Sequence, residues 1–161
     1  MIRIVTHADI SAIAEIYNYY IINTVITFEM EPVTSDEIAI RIEKYLEIGP
    51  YLVYENNKEV VGYAYVAKFR ERKAYENTVE STIYLKNGLG GKGIGFELYS
   101  ELLSQVVSKY HTITAGIALP NEASIRLHER CSFKKVGHFA EVGRKFGRWI
   151  DVGFWQKSGK V

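Results

Sequence analysis

Asn87-Gly88-Leu89-Gly90-Gly91-Lys92-Gly93-Ile94-Gly95 packs five glycines into nine residues, with a lysine among them. A β-rich stretch precedes it, and a helical apolar stripe of Leu98, Tyr99, Leu102, Leu103 and Val106 follows. The first amides of a helix lack intrahelical acceptors and sit at the positive end of its dipole. Glycines let an anion reach those amides with no Cβ in the way. Lys92 adds a positive charge there, so the chemistry to expect is capture of a phosphate. The segment is not a P-loop: Gly93 follows Lys92 where Ser or Thr belongs, and Lys86 stands in place of the motif's first glycine. Gly88-x-Gly90-x-x-Gly93 matches a dinucleotide fingerprint by letters, but the chain offers one βαβ unit where that fold uses two halves. The plain alternative is a mobile glycine loop that binds nothing.

The elements that must position this loop follow from periodicity. Ile2 to Val5 reads as a strand, and Thr6 with Asp9 as an approximate capping box in which Thr6 accepts from the first amides of a helix. Ile10, Ile13, Ala14, Tyr17 and Ile21 recur at helical spacing. The connection from Asn23 to Pro32 is apolar for a loop, with Val25, Ile26, Phe28 and Met30; it either folds onto the core or lines a pocket. Thr34-Ser35-Asp36-Glu37 opens a second helix that Gly49-Pro50 ends. Tyr51 to Glu55 and Glu59 to Lys68 read as a hairpin, and Arg70 to Ala74 as a charged loop. Glu76 to Leu85 separates into two faces: Val79, Ile83 and Leu85 on one, Thr78, Glu80, Thr82 and Tyr84 on the other. Thr112 to Ala118 is a strand, Asn121 an N-cap, and Phe133 to Phe139 and Arg148 to Gln156 two closing strands. The order β-α-α-β-β-β-α-β-α-β-β describes a mixed α/β (α+β) fold, with residues 1–161 as one domain around one sheet.

Composition narrows the function. A chain of 161 residues, 47% hydrophobic and 24% charged, builds a core without staples. The net charge of +1 gives no reason to expect a nucleic-acid partner, and nothing approaches the roughly 18 consecutive apolar residues of a membrane span. No targeting segment is visible at Met1 to Asp9. Cys131 is the only cysteine, which excludes an internal disulfide and a cysteine zinc cluster and suits a reducing, cytoplasmic compartment. No metal is expected. The 12 tyrosines have no functional reading at this level.

Gly91-Lys92-Gly93-Ile94-Gly95 resembles the second half of the R/Q-G-x-G-x-G/A signature of GCN5-related N-acetyltransferases (GNAT), with Gly90 in the first position. Asn121-Glu122-Ala123-Ser124-Ile125-Arg126-Leu127-His128-Glu129-Arg130-Cys131-Ser132-Phe133 resembles the second block of that family, N-x-A-S-x-x-L-Y/H-E-x-x-G-F, with Ser132 replacing the usual glycine. Tyr75 to Glu80, Asn23-Thr24 with Phe28-Glu29, and the tail from Val142 to Val152 are similar to the phosphinothricin and methionine sulfoximine/sulfone branch; Phe146 stands where some members carry histidine.

The resemblance implies a mostly antiparallel twisted sheet of about seven strands flanked by four helices. It implies acetyl-CoA as co-substrate, a small glutamate-like amino acid as acceptor, and a homodimer. The pyrophosphate would rest on the amides of Gly90, Gly91, Lys92, Gly93, Ile94, Gly95 and Phe96. Ile83, Tyr84 and Leu85 would pair with the pantetheine arm, and the Leu85 amide would face the acyl oxygen. Glu80, a mid-strand carboxylate whose pKa desolvation can raise, becomes the general base; otherwise it is a surface glutamate beside Thr78 and Thr82. Asn121, Ser124 and His128 are spaced to share a helix face; the first two would bond the pantetheine. His128 either protonates the leaving thiolate or simply packs. Arg70 and Arg72 would fork onto the acceptor's acidic groups, or form a solvated charge run with Glu71 and Lys73. Phe28, Tyr75 and Thr78 complete the acceptor side. Direct attack in a ternary complex fits better than a covalent enzyme, because nothing near Cys131 looks able to activate it. Rival readings are another small amine or a protein N-terminus as acceptor, or a non-catalytic acetyl-CoA-binding module. A polyamine or aminoglycoside site should be rich in Asp and Glu, which the Arg70–Arg72 loop opposes.

Overall fold

A computed structural model describes residues 1–161. The strands are β1 (Ile2–Ile4), β2 (Tyr51–Asn56), β3 (Glu59–Lys68), β4 (Thr78–Leu85), β5 (Thr112–Ala118), β6 (Lys134–Lys145) and β7 (Arg148–Ser158). They form a seven-stranded sheet in the order β1-β2-β3-β4-β5-β7-β6. Helices α1 (Ile10–Asn23) and α2 (Ser35–Leu46) cover one face. Helix α3 (Ile94–Val106) packs on the other, with Leu127 of α4 (Glu122–Arg130) against the same core. The element order matches the one read from periodicity. β6 runs further than expected because two bulges, between Lys135 and Gly137 and between Phe139 and Gly143, let it continue along β7. Glu76 and Asn77 fall outside β4, in a turn.

Local chemistry sets the helix ends. Thr34 accepts from the Glu37 amide at 3.2 Å and Asn121 from the Ser124 amide at 3.2 Å. Thr6 and Asp9 form the expected capping box. The Asp9 carboxylate takes the Thr6 amide at 2.7 Å and hydroxyl at 2.9 Å and pairs with Arg3 at 2.7 Å, while the Asp9 amide donates to the Thr6 carbonyl at 3.1 Å. A single 3-10 turn therefore precedes α1.

The tyrosines, without a reading in the sequence, have one in the fold. Tyr45 stacks on Tyr65 at 4.4 Å between ring centroids, Tyr65 on Tyr51 at 4.9 Å and Tyr51 on Tyr63 at 5.9 Å, under α1 and α2. The row ends at Tyr84, which Tyr17, Tyr20 and Tyr63 surround. Each such aromatic contact is worth about 0.5–1.5 kcal/mol beyond the area it buries.

All neighbouring strands are antiparallel except β4 and β5, which run parallel and pair only through Thr78 with Thr112, Val79 with Ile113 and Glu80 with Thr114. Beyond Glu80 the two strands diverge. Three buried groups clamp the fork: Tyr99 of α3 donates to the Ser81 hydroxyl at 2.7 Å, Ser81 donates to the Thr114 carbonyl at 3.0 Å, and the Thr114 hydroxyl donates to the Val79 carbonyl at 3.1 Å. Replacing Ser81 by alanine removes the acceptor of the buried Tyr99 hydroxyl and one of the bonds to the Thr114 carbonyl, at a cost of about 1–3 kcal/mol. Urea unfolding of Ser81→Ala measures that loss; an unchanged midpoint would mean that the clamp contributes nothing.

Candidate active site

The fork opens a cleft of about 360 Å³ through the sheet. Residues from both faces reach it, because no hydrogen-bonded strand closes the gap. Glu80, Thr82 and Tyr84 line it from the side of α1, Ser81 and Ile83 from the side of α3, and Asn121, Ser124 and His128 from α4. Ile26, Thr27 and Phe28 of the connection after α1 form a further wall. That connection therefore does both things expected of it: Thr27 is buried, while Phe28 remains 40% exposed at the cleft.

Pairing between β3 and β4 explains which backbone groups face the opening. Lys86 donates to the Val61 carbonyl at 2.8 Å, and antiparallel pairs alternate between bonded and unbonded. Ile83 and Leu85 therefore turn their amides away from β3, towards the gap. The Leu85 carbonyl is already taken by the Tyr20 hydroxyl at 2.6 Å.

At the end of β4 the glycine loop leads into α3. Gly88, Gly91 and Gly93 have φ of +83°, +78° and +85°, where any other residue is strained. A Cβ on Gly88, Gly90, Gly91 or Gly93 would meet no protein atom within 4 Å, so the concavity is open. No protein acceptor takes the amides from Gly90 to Phe96. An oxyanion fits these unpaired donors. Gly95 differs from its neighbours: a Cβ there would press on Leu85 at 3.3 Å, so this glycine serves the packing of α3 against β4.

Glu80 is half-buried, with no cation paired to it, and burial raises its carboxyl above the ordinary value of 4.5. That suits a group that accepts a proton near neutrality. His128 is buried between Tyr99 at 5.0 Å and Phe133 at 5.3 Å. Its Nδ1 lies 2.8 Å from the Ser124 carbonyl, which can only accept, so Nδ1 carries the proton. Burial lowers the pKa of the ring and keeps it neutral. Nε2 is then an acceptor. The acid reading requires the doubly protonated ring, whereas the packing reading needs only this tautomer. The Asn121 oxygen is spent on its cap, leaving its NH2 for a ligand.

The expected acceptor-side residues divide. Phe28 lies at the cleft, whereas Arg70, Arg72, Tyr75 and Thr78 do not line it. They lie at or before the start of β4, at the paired end of the fork. The Arg70 guanidinium sits over Phe69 at 5.1 Å and Tyr75 at 5.7 Å. Neither arginine pairs with a carboxylate; Glu71 is taken by Lys68 at 3.2 Å. Sequence reasoning missed Gly116, Ala118, Val152 and Phe154, which line the cleft as cross-strand partners on β5 and β7. A glycine inside a strand was the one available signal. A second concavity, of about 400 Å³, lies elsewhere, among Arg130, Cys131 and Lys157, and shares only Phe96 with the loop's amides. Burial pushes the Cys131 thiol up, which argues against a thiolate nucleophile.

Residues 2–153 match the model of the acetyltransferase (GNAT) domain. The chain is 41% identical over 154 residues to a phosphinothricin N-acetyltransferase of Streptomyces coelicolor, covering 92% of this chain and 90% of that protein. It is 37% identical over 157 residues to an L-methionine sulfoximine/L-methionine sulfone acetyltransferase of Salmonella typhimurium, covering 96% and 92%. Among solved structures, a phosphinothricin acetyltransferase of Sinorhizobium meliloti in complex with acetyl-CoA superimposes with a TM-score of 0.94 at 36% identity, covering 99% of this chain and 88% of that one. A Salmonella typhimurium acetyltransferase structure with its cofactor acetyl-CoA gives 0.95 at 36% identity, covering 98% and 92%. A forked sheet, a cradle of unpaired amides and these relatives agree: the chain belongs to the GNAT family and is an acetyl-CoA-dependent N-acetyltransferase.

Proposed function

We propose that the protein acetylates the α-amine of small glutamate-like amino acid analogues, phosphinothricin and methionine sulfoximine or sulfone among them, by direct attack in a ternary complex. The observation that carries this reading is Glu80: an unpaired, partly desolvated carboxylate lining the cleft, on the strand that runs on into the free amides of Gly90 to Phe96. Relatives named for these acceptors support the substrate class.

Acetyl-CoA supplies an activated acyl group. The amides of Gly90 to Phe96 hold its diphosphate, with Lys92 adding charge. Ile83, Tyr84 and Leu85 extend β4 along the pantetheine, which occupies the missing strand position. The Leu85 amide faces the acyl oxygen, where charge develops. Asn121 and Ser124 bond the arm from α4. Glu80 accepts a proton from the ammonium form of the acceptor, through a water, and so produces the amine that attacks. As the tetrahedral adduct collapses, the proton that the attacking nitrogen must still lose passes to the departing thiolate, and His128 offers Nε2 as an acceptor for the thiol so formed. On the acceptor side Phe28 is the apolar wall; Arg70 and Arg72 stand outside the cleft's lining, beyond its paired end and free of carboxylate partners, and would take acidic groups that project past it, with Tyr75 and Thr78 beside them. Acetylation removes the amine's charge, in keeping with a detoxifying role, and a lone thiol suits a cytoplasmic setting. Val136, Phe139, Val142, Phe146 and Trp149 are each 55–60% exposed along the β6–β7 edge, the face on which we place a homodimer contact.

Four measurements test the reading. Thiol release with acetyl-CoA and a panel of amines should show turnover with methionine sulfone, methionine sulfoximine or phosphinothricin; Glu80→Gln should lower kcat by about 10²–10⁴ with acetyl-CoA affinity unchanged. The wild-type rate should fall as pH drops through the raised Glu80 pKa, and Glu80→Gln should lack that limb; equal profiles remove Glu80 from the reaction. Gly93→Val should weaken acetyl-CoA binding by about tenfold or more, read by calorimetry, because strain and a side chain both disturb the cradle. Unchanged affinity places the diphosphate elsewhere. Sedimentation should report a dimer that Trp149→Asp dissociates; a monomeric wild type rules out the β6–β7 contact.

A further inference from the structure

Phe28 walls the cleft, and the far end of the chain determines where its ring can lie. β6 passes behind the ring. At Gly143 the backbone comes so close that a Cβ would stand 2.5 Å from Cζ and 3.0 Å from Cδ2 of Phe28, and nearer still to Cε2. Gly143 is not among the residues with positive φ, so its backbone conformation does not demand glycine; the space does. The bulge between Phe139 and Gly143 brings β6 to this position, with the Glu141 amide donating to Asp151 at 2.7 Å across the hairpin.

The residues on either side of Phe28 are anchored. Lys145, 1% exposed, donates from Nζ to the Thr27 carbonyl at 2.9 Å. The Thr27 hydroxyl meets the Tyr17 hydroxyl at 2.9 Å. Arg41 grips both oxygens of Glu29, at 2.7 and 2.8 Å. With Thr27 and Glu29 fixed, the Phe28 ring has two directions open to it: back onto β6 or forward into the cleft. Gly143 is absent from the cleft lining and Phe28 is part of it, so the ring lies between the two.

We propose that Gly143 determines acceptor specificity: lacking a side chain, it lets the Phe28 ring withdraw onto β6 and so sets how long an acceptor side chain the cleft admits. Lys145 is a positioning residue that holds the Thr27–Phe28 backbone against this stop. The inference rests on the acceptor class proposed above. A Cβ at position 143 would push the ring forward and shorten the site.

The test compares methionine sulfone with S-methylcysteine sulfone, which is one methylene shorter. In Gly143→Ala, kcat/KM for the longer acceptor should fall about tenfold relative to the shorter, mainly through KM, with the acetyl-CoA Kd unchanged. In a Phe28→Ala background the same substitution should have no such effect, since the ring it displaces is gone. Lys145→Met should raise KM for both acceptors and leave the acetyl-CoA Kd alone. Equal losses for both acceptors in Gly143→Ala, or the same discrimination persisting without Phe28, overturn the inference. If Gly143→Ala does not fold, Phe28→Ala/Gly143→Ala should fold; failure of both overturns it too. A wild type inert with both acceptors refutes the proposed acceptor class and this inference together, whereas an active wild type with an indifferent Gly143→Ala refutes this inference alone.

Discussion

Everything at the candidate site depends on the shortness of one strand pairing. β4 and β5 pair through Thr78, Val79 and Glu80 and then part. A full pairing would have closed the sheet, and backbone hydrogen bonds would have consumed the amides of Ile83 and Leu85. The divergence leaves those groups facing a gap that side chains from both faces can enter. Ser81, held between Tyr99 and Thr114, stands at the point of separation. The interactions that keep the sheet together on one side of Glu80 are therefore also those that define where the opening starts.

The fork also accounts for the electrostatics. Glu80 occupies the last paired position, where neighbouring strands withdraw its carboxyl from water without offering a cation. Its folded pKa lies above the unfolded one, so the protein loses some stability as pH rises through that value and the carboxylate forms. At the other end of the gap, the unpaired amides beyond Gly90 and the start of α3 present a field of the opposite sign. A basic carboxylate and an anion cradle are thus separated along one strand and its following turn.

The parts legible in the sequence are those fixed locally. Glycines at 91 and 93 answer a backbone demand for positive φ, and the caps at Thr34 and Asn121 satisfy amides three residues away. Alternation placed Glu80 on a different face from Val79 without knowledge of any partner strand. Features that depend on distant pairing were not legible. Nothing in 112–118 announces that β5 leaves β4 after Thr114, and Gly116 was the only hint that a ligand-facing surface lies there. Lys145 reaches Thr27 across 118 residues of sequence, and its position in a polar tail reads as surface. The family's second block and a shared helix face point to His128, but the carbonyl that fixes its tautomer belongs to its own backbone turn, a contact that spacing alone does not specify. Thr6 and Asp9 form the cap that their letters announce, but nothing local shows that Arg3 also pairs with its carboxylate.

The sheet is in effect two slabs, β1 to β4 and β5 with β7 and β6, joined edge to edge along a seam of three residue pairs. Along the open part of that seam the amides of Ile83 and Leu85 face a gap that no strand of the polypeptide fills. Anything that binds only while the two slabs hold this gap between them works as mortar, adding to the stability of the whole sheet by mass action.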